Sequence, residues 1–569
     1  MKPNSLSDAF QIGAFFCFIF FSPWAYSQDK LINILDEEVQ REMQTLNKQE
    51  IPAYYISYRV EESTTYTISS SFGAITTSRD SKSCRFTVAV RVGNPQFDNF
   101  HTTRGSSSSF YSSSLDLPSA DEPLAIKQVL WNTTNEAYQQ AISGYARAKS
   151  NMATNVEEED KSPDFTLEEA KNYIEPPFTP EDIKMDIASW ENRMKKYSSA
   201  FLKDSAIFSG SGSFSYQATR KYFVSSDGDK IAQNSTYSRA GFGGIIKATD
   251  GMEMPLNKSY FAFKPEDLPS DKLMTSDLNN LINNLVAMKK APVAEPYSGP
   301  ALLSGKAAGV FFHEIFGHRV EGQRMKNEAD AQTFKKKISE QVLPTTLSVY
   351  CDPQSKIYNN LEMSGSYVFD DQGSKGERVD VVKDGILKGF LMSRTPIINF
   401  PKSNGHGRAM AGMQPAARQS NLIVETSQPK TNLELRAELI KLAKEQNKTY
   451  GYLFDEVEGG FTSTGRFQPN AFNVNPTLVY KVYTDGRPDE IVRGVDLVGT
   501  PLAIFSQIDQ AGGKIETFNG YCGAESGSIP VACVAPTVVL RLIETQKKSK
   551  SQELPLILPR PDSKIALGD

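Results

Sequence analysis

Two of the four histidines in this 569-residue chain lie within six residues of each other, in the segment Gly309–Gly322, GVFFHEIFGHRVEG. Glu314 directly follows the first of them, His313, and His318 is the second. Neutral imidazole is a good ligand for Zn²⁺, and a carboxylate beside a metal-activated water can act as its general base. The flanking Val310, Phe311, Phe312, Ile315 and Phe316 are strongly apolar. Polar groups embedded in such a helix are costly to bury unless they have partners. Residues four apart on a regular helix are separated by about 40° and share a face, whereas a five-residue spacing separates them by about 140°. Both imidazoles can reach one metal only if the helix is unwound or bulged between them. Gly317, just before His318, is the residue that would permit such a distortion.

A catalytic zinc site generally takes three protein ligands and keeps one position open. His406, His101, Glu321 and the cysteines are the candidates for the third. Cys522 lies close to Gly520 and Gly523, which allow near approach of the backbone, and a thiolate is a natural soft ligand. Glu321 lies three residues after His318 and returns to nearly the same helix face. Spacing alone leaves Cys522 and Glu321 both open. Glu321 could instead orient a ligating histidine. Arg408 and Arg418 could bind a substrate carboxylate or stabilise an oxyanion. Asp370 and Asp371 read as a turn. The chain has no G-x-S-x-G, so a serine nucleophile is unsupported.

The elements that must position these residues fall into two halves, as the length of the chain leads one to expect. An amphipathic helix is expected over Leu31–Leu46, then antiparallel strands through Ala53–Val92. Helices follow at Pro123–Ser150, Pro180–Leu202, with Thr179 as N-cap, and Ser276–Lys289, with strand-like alternation over Phe208–Asp250 between the last two. The Pro- and Gly-rich stretch Ala291–Pro300 reads as a linker. Beyond it we expect a helix over Lys306–Arg324 and another over Leu433–Glu445. Strands are expected at Thr345–Tyr350, Gly365–Phe369, Arg378–Val382, Ile386–Met392, Leu478–Thr484, Glu490–Asp496 and Ala535–Leu542. The fold class is therefore α+β: a mixed sheet-and-helix domain over residues 28–292, then a β-rich domain over 293–546 carrying the histidine helix, and an extended tail over 547–569.

The first 27 residues are expected to lie outside the fold. Lys2 precedes an apolar run, Ala9–Phe21, broken by Ser22-Pro23, and Ala25-Tyr26-Ser27 gives small residues before Gln28. This is the pattern of a signal peptide, and it implies a periplasmic or extracellular protein with no stable membrane span after cleavage. Cys84, Cys351, Cys522 and Cys533 remain in the mature chain, enough for two disulfides in an oxidising compartment. A net charge of −5 gives no electrostatic footprint for nucleic acid.

The segment GPALLSGKAAGVFFHEIFGHRVEG, from Gly299 to Gly322, resembles the active-site segment of the TldD/PmbA family of modulator-type metallopeptidases, whose motif is HExxxH. The likeness continues in order through FDDQG (Phe369–Gly373), VKDGILKGF (Val382–Phe390), NGHGRAMAGMQPAARQSN (Asn404–Asn421) and GYCGAESGSIPV (Gly520–Val531). The resemblance implies a zinc site made by His313, His318 and Cys522, with Glu314 as base. It also implies hydrolysis of unfolded or short peptides inside a dimer, formed with itself or with a paralogue. Two features depart from the family: the export signal, and extra material around Gly105–Glu175. Two other readings remain, a non-catalytic metal-binding or scaffold subunit and a metal-dependent hydrolase of non-peptide bonds. Glu314 separates the first of these from an enzyme, because a purely structural site does not need it.

Overall fold

A computed structural model describes residues 29–102, 114–118, 121–154, 159–466 and 472–548. The N-terminal apolar run and its cleavage point lie outside these residues, as do most of Gly105–Ser119 and the tail from Ser549. The architecture is α+β, built on two large sheets.

The first sheet has eight strands and draws on residues 53–262. Its centre is the long antiparallel run Ala74–Asn94, Ala53–Ser71, Ile207–Ser225 and Lys230–Lys247. Helices Lys30–Leu46 and Pro123–Thr154 bury Leu35, Val39, Ile126 and Leu130 against Tyr58, Phe86 and Val88 of this sheet. Helices Ile187–Ser199 and Asp271–Lys290 build a second core with Met194, Phe214, Phe242 and Leu285. The expected helix start at Pro180 is displaced to Ile187. Thr179 and Asp182 bond one another in a turn, and Asp186 caps the helix by accepting from the Ser189 N–H at 2.9 Å.

The second sheet has eleven strands drawn from residues 297–547. The long strand Gly527–Lys547 pairs with Tyr297–Leu303 on one edge and, towards its C-terminal end, with Val495–Gly499 on the other. Those strands are linked in turn through Tyr450–Thr462 and Phe472–Tyr483, so five strands close into a ring. Ile508–Ala524 forms a hairpin with Gly527–Lys547 and places Cys522 opposite Ile529. The stretch expected to be a linker thus supplies, from Tyr297, a strand of the ring. Gly365–Phe369 forms no strand beyond a single bridge at Phe369, and Ile386–Met392 contracts to a strand at Ile386–Leu387. Strands Tyr450–Thr462 and Ile508–Ala524 were not expected from the sequence.

The histidine helix is shorter than the periodicity suggested. It runs Gly305–Ile315, breaks at Phe316, and resumes as one 3₁₀ turn, Gly317–Arg319, and a short helix, Gln323–Lys326. It packs against Gly527–Lys547, Tyr450–Thr462 and Ile508–Ala524. Nearly all its residues are buried, as a helix apolar on every face requires. No helix among the described residues is long and apolar enough to cross a membrane.

Candidate metal centre

The helix begins at Ser304, whose hydroxyl accepts from the Ala307 N–H and donates to Asp455 O at 2.7 Å. Gly305, Gly309 and His313 follow at four-residue intervals and share one face. A Cβ at Gly305 would lie 2.7 Å from Ala535 O and 2.9 Å from Glu516 N, and one at Gly309 would lie 3.0 Å from Cys533 O. The two glycines therefore let the helix axis approach the hairpin closely enough for the next residue on that face to reach its cysteines. His313 Nε2 lies 3.2 Å from Cys522 Sγ, and its Nδ1 lies 3.5 Å from Cys533 Sγ.

The break at Phe316, with φ −113° and ψ −55°, swings His318 back towards the same point. Its Nε2 lies 3.3 Å from Cys522 Sγ and the two imidazole centroids are 4.8 Å apart. The distortion that the five-residue spacing requires is a helix end and a 3₁₀ turn rather than a bulge. Gly317 does not adopt a left-handed conformation there. A side chain at Gly317 would instead collide with the buried amide of Gln419, which donates to His313 O at 3.4 Å. Arg319 closes the helix end by donating to Glu314 O and Ile315 O at 2.8 and 3.2 Å, and to Ser463 O at 3.2 Å.

His313, His318 and Cys522 are the group among the described residues that could hold a metal ion, with ligand atoms within 4.8 Å of one another. The chemistry of the donors fits zinc, which is bound by imidazole nitrogen and thiolate sulfur, three protein ligands leaving a fourth position open. The electrostatics fit a cation as well. Burial opposes charge on Cys522, but His318 and His313 outweigh it and hold the thiol well below its ordinary value. Burial likewise opposes protonation of His318, yet Cys522 and Glu321 carry it up to about 9. The sulfur is thus a locus of negative potential, where a bound divalent ion would take the place of the protons it holds on the rings.

Each imidazole nitrogen turned away from this point has a partner. Nδ1 of His318 donates to Glu321 Oε2 at 3.2 Å, and Nδ1 of His313 meets Cys533. Glu321 is fully buried. Burial would raise its carboxyl, but His318, Arg324 and Arg418 hold it down to about 2. It thus contacts His318 from the side away from the cluster, while Cys522 Sγ lies 3.2 and 3.3 Å from the Nε2 atoms of His313 and His318. His101 is held by Asp164 at 2.8 Å in the first half. His406 is fully buried and pushed down to about 3 by that burial, with Ser420 Oγ at 3.1 Å from Nε2. Neither belongs to the cluster.

The cluster opens on a cleft of about 360 Å³ lined by Glu314, Phe461, Tyr521 and Glu525, among others. Burial pushes the Glu314 carboxyl above its ordinary value, against the pull of His313 and His318. A Cβ at Gly460 would stand 2.5 Å from Glu314 Cγ, so this glycine clears the carboxylate's place. The first half reaches the rim as well, where Asn257 donates to Glu458 at 3.2 Å and Arg239 to Asn519 O at 2.9 Å. Arg408 and Arg418 do not line the cleft. Arg408 is buried, donates to Gln419 O at 2.7 Å and stacks over Tyr367, while Arg418 lies behind Cys522. A substrate carboxylate or oxyanion in the cleft is out of reach of both. Asp370 takes the turn role expected of it, accepting the Gln372 and Ser374 N–H groups at 2.9 Å. Gly460, Gln419 and Arg319 were missed in the sequence, and Cys533, one of the cysteines weighed as a third ligand, lies instead against His313 Nδ1. Only the Gly459-Gly460 pair, in an otherwise strand-like run, carried a signal of close approach.

Residues 296–547 match the family model of the PmbA/TldA metallopeptidase C-terminal domain. A metalloprotease of Archaeoglobus fulgidus is 30% identical over 242 residues, covering 42% of this chain and 51% of the relative. A zinc metalloprotease TldD homolog of Saccharolobus solfataricus is 22% identical over 335 residues, 57% of this chain and 68% of the relative. The chain thus spans about half the length of the first of these curated relatives. Among solved structures, a Thermotoga maritima protein described as a modulator of a DNA gyrase superposes with a TM-score of 0.58 at 16% identity, covering 90% of this chain and 99% of that one. TldE of Thermococcus kodakarensis gives 0.58 at 12%, with the same coverage. The fold is the one these two proteins share, and the C-terminal half is similar to a domain described as metallopeptidase. Residues 296–547 thus resemble the metallopeptidase C-terminal domain of the TldD/PmbA family.

The geometry separates the two hairpin cysteines. All four described cysteines are free, and the His313 ring lies between Cys522 and Cys533. Cys522→Ser is expected to weaken Zn²⁺ binding by more than about 100-fold, and Cys533→Ser by less than about 100-fold, since loss of an outer partner typically costs about 10- to 100-fold. Competition titration with a chelating dye measures both. Equal losses, or a Cys522–Cys533 disulfide in non-reducing peptide maps, would contradict the assignment.

Proposed function

We propose that this protein is a zinc-dependent metallopeptidase that hydrolyses peptide bonds in unfolded or short peptides. The observation that carries the reading is the convergence of His313 Nε2, His318 Nε2 and Cys522 Sγ in a cleft that also holds the Glu314 carboxylate. His313, His318 and Cys522 would hold the ion, which when bound supplies a Lewis acid that polarises the scissile carbonyl and acidifies water. Glu314 takes the proton of the attacking water and passes it to the leaving amine. Its raised affinity for protons, a result of burial, suits a group that must both accept and return one. Phe461 and Tyr521, both largely exposed, offer apolar surface at the cleft for a peptide's side chains. Glu321 and Cys533 keep the imidazoles aimed.

A non-catalytic metal-binding subunit is the second reading. It accounts for the three ligands but gives no reason for a carboxylate placed at an open cleft, with Gly460 clearing its space. Glu314→Gln decides between them. The variant is expected to keep stoichiometric zinc and to lose peptide hydrolysis by about 10²- to 10⁴-fold in kcat. Hydrolysis at the wild-type rate would remove the mechanism, and absence of turnover by the wild-type protein on any unfolded peptide would favour the second reading.

Export and pairing belong to the same proposal. The support is the signal pattern in residues 1–27 and the family resemblance. Native and intact mass measurement of the protein recovered from a secreting host is expected to show a chain starting at Gln28 and a mass of two chains. A chain starting at Met1, or a monomer at micromolar concentration, would count against each in turn.

A further inference from the structure

Arg418 is the largest charged group behind the cluster whose purpose the catalytic reading leaves open. It is fully buried at 0% exposure. Its backbone is fixed by the bond of its N–H to His406 O at 2.9 Å, so the neutral, buried His406 lies in the loop that presents it. Nη1 donates to Ser526 Oγ at 2.8 Å and Gly527 O at 3.1 Å, in the turn of the cysteine hairpin. Nη2 donates to two atoms of one residue, Cys522 O at 2.7 Å and Cys522 Sγ at 3.1 Å. Nε lies 3.6 Å from Glu321 Oε1, on the carboxylate that orients His318.

A single guanidinium therefore joins the sulfur of one candidate ligand to the partner of another. The sulfur needs such a group. A thiolate donates more charge to a metal than an imidazole does, and a zinc ion with a thiolate ligand is a weaker Lewis acid for it. A charge-assisted N–H···S bond takes part of that charge back. It also fixes the direction of the sulfur lone pairs, because the same nitrogen is pinned to the carbonyl of the same residue. A lysine has no planar fork with which to hold the hairpin turn, the carbonyl and the sulfur together.

We propose that Arg418 is a positioning residue for Cys522: its Nη2–H···Sγ bond aims the thiolate at the metal position and draws charge from it, so that a metal held there keeps its Lewis acidity. The proposal rests on the metal reading above. The experiment therefore reads the metal–sulfur bond directly, in protein loaded with Co²⁺. Wild-type protein is expected to show a near-ultraviolet sulfur-to-cobalt charge-transfer band that is absent from Cys522→Ser. Absence of the band in wild type would remove the metal reading itself.

With the band present, Arg418→Met is expected to move it to longer wavelength, because a sulfur without its N–H bond gives up charge more easily. Zn²⁺ affinity should fall by about 10- to 100-fold, as for loss of other outer partners. Arg418→Lys should lie between the two. Ser526→Ala removes a bond of the same guanidinium on the Nη1 side only and should leave the band where it is. A folded, cobalt-loaded Arg418→Met with the band at the wild-type wavelength would overturn the proposal and leave Arg418 a brace for the hairpin. Should neither Arg418 variant fold or take cobalt, wild-type protein loaded with ¹¹³Cd decides. A guanidinium proton coupled to cadmium through the sulfur is expected, and its absence would overturn the proposal equally.

Discussion

The approach of two imidazole nitrogens to one cysteine sulfur, at 3.2 and 3.3 Å, is the contact on which the rest of this structure depends. It joins segments about 200 residues apart in sequence, since His313 and Cys522 are separated by 209 positions. Such a contact between buried polar groups is stable only when everything around it is fixed and satisfied. The closed ring of five strands, the helix laid on the hairpin and the break at Phe316 can each be understood as a condition for it. The two helix glycines set the distance between helix and hairpin. The break turns a five-residue separation into convergence. The hairpin register presents Cys522, rather than its neighbours Tyr521 and Gly523, to the helix.

Around this contact the charges are layered. The sulfur is surrounded by His313, His318 and Arg418, and Glu321 is surrounded by His318, Arg324 and Arg418. The two buried acidic groups thus share His318 and Arg418. Removing one member leaves its partners uncompensated in a dry interior, which costs more than the lost bond alone. Glu314 faces the cleft, where burial outweighs the pull of His313 and His318 and suits its carboxyl to exchange protons with a substrate.

Much of the site was legible in the sequence because its chemistry is local. Two of four histidines within six residues, with a glutamate between, cannot be mistaken for composition, and their spacing required a broken helix. The reason assigned to Gly317 was different from the one found, because the Gln419 amide that crowds it comes from a loop a hundred residues away. Cys533, Gly460 and Arg418 act across the fold in the same way: the sequence offered Cys533 as a thiol and Arg418 as a cation, but not the contacts they make with His313 and Cys522. The strands at Tyr450–Thr462 and Ile508–Ala524 escaped notice for a related reason. Gly459-Gly460 and Gly512-Gly513 interrupt them with irregular register, and much of Ile508–Ala524 is only half buried, so the alternation that marks a strand is blurred. The helix boundaries shifted where capping competed: Asp186 has the free N–H of Ser189 to accept, while Thr179 is engaged with Asp182.

The central claim is that one ion sits on His313, His318 and Cys522. X-ray absorption at the zinc edge on the metal-loaded protein tests it most directly, because sulfur and nitrogen ligands differ in distance. The account predicts one sulfur at about 2.3 Å and the remaining ligands as nitrogen or oxygen at about 2.0–2.1 Å. A shell without sulfur would remove Cys522 from the site, and a shell with two sulfurs would bring in Cys533; either would contradict the account.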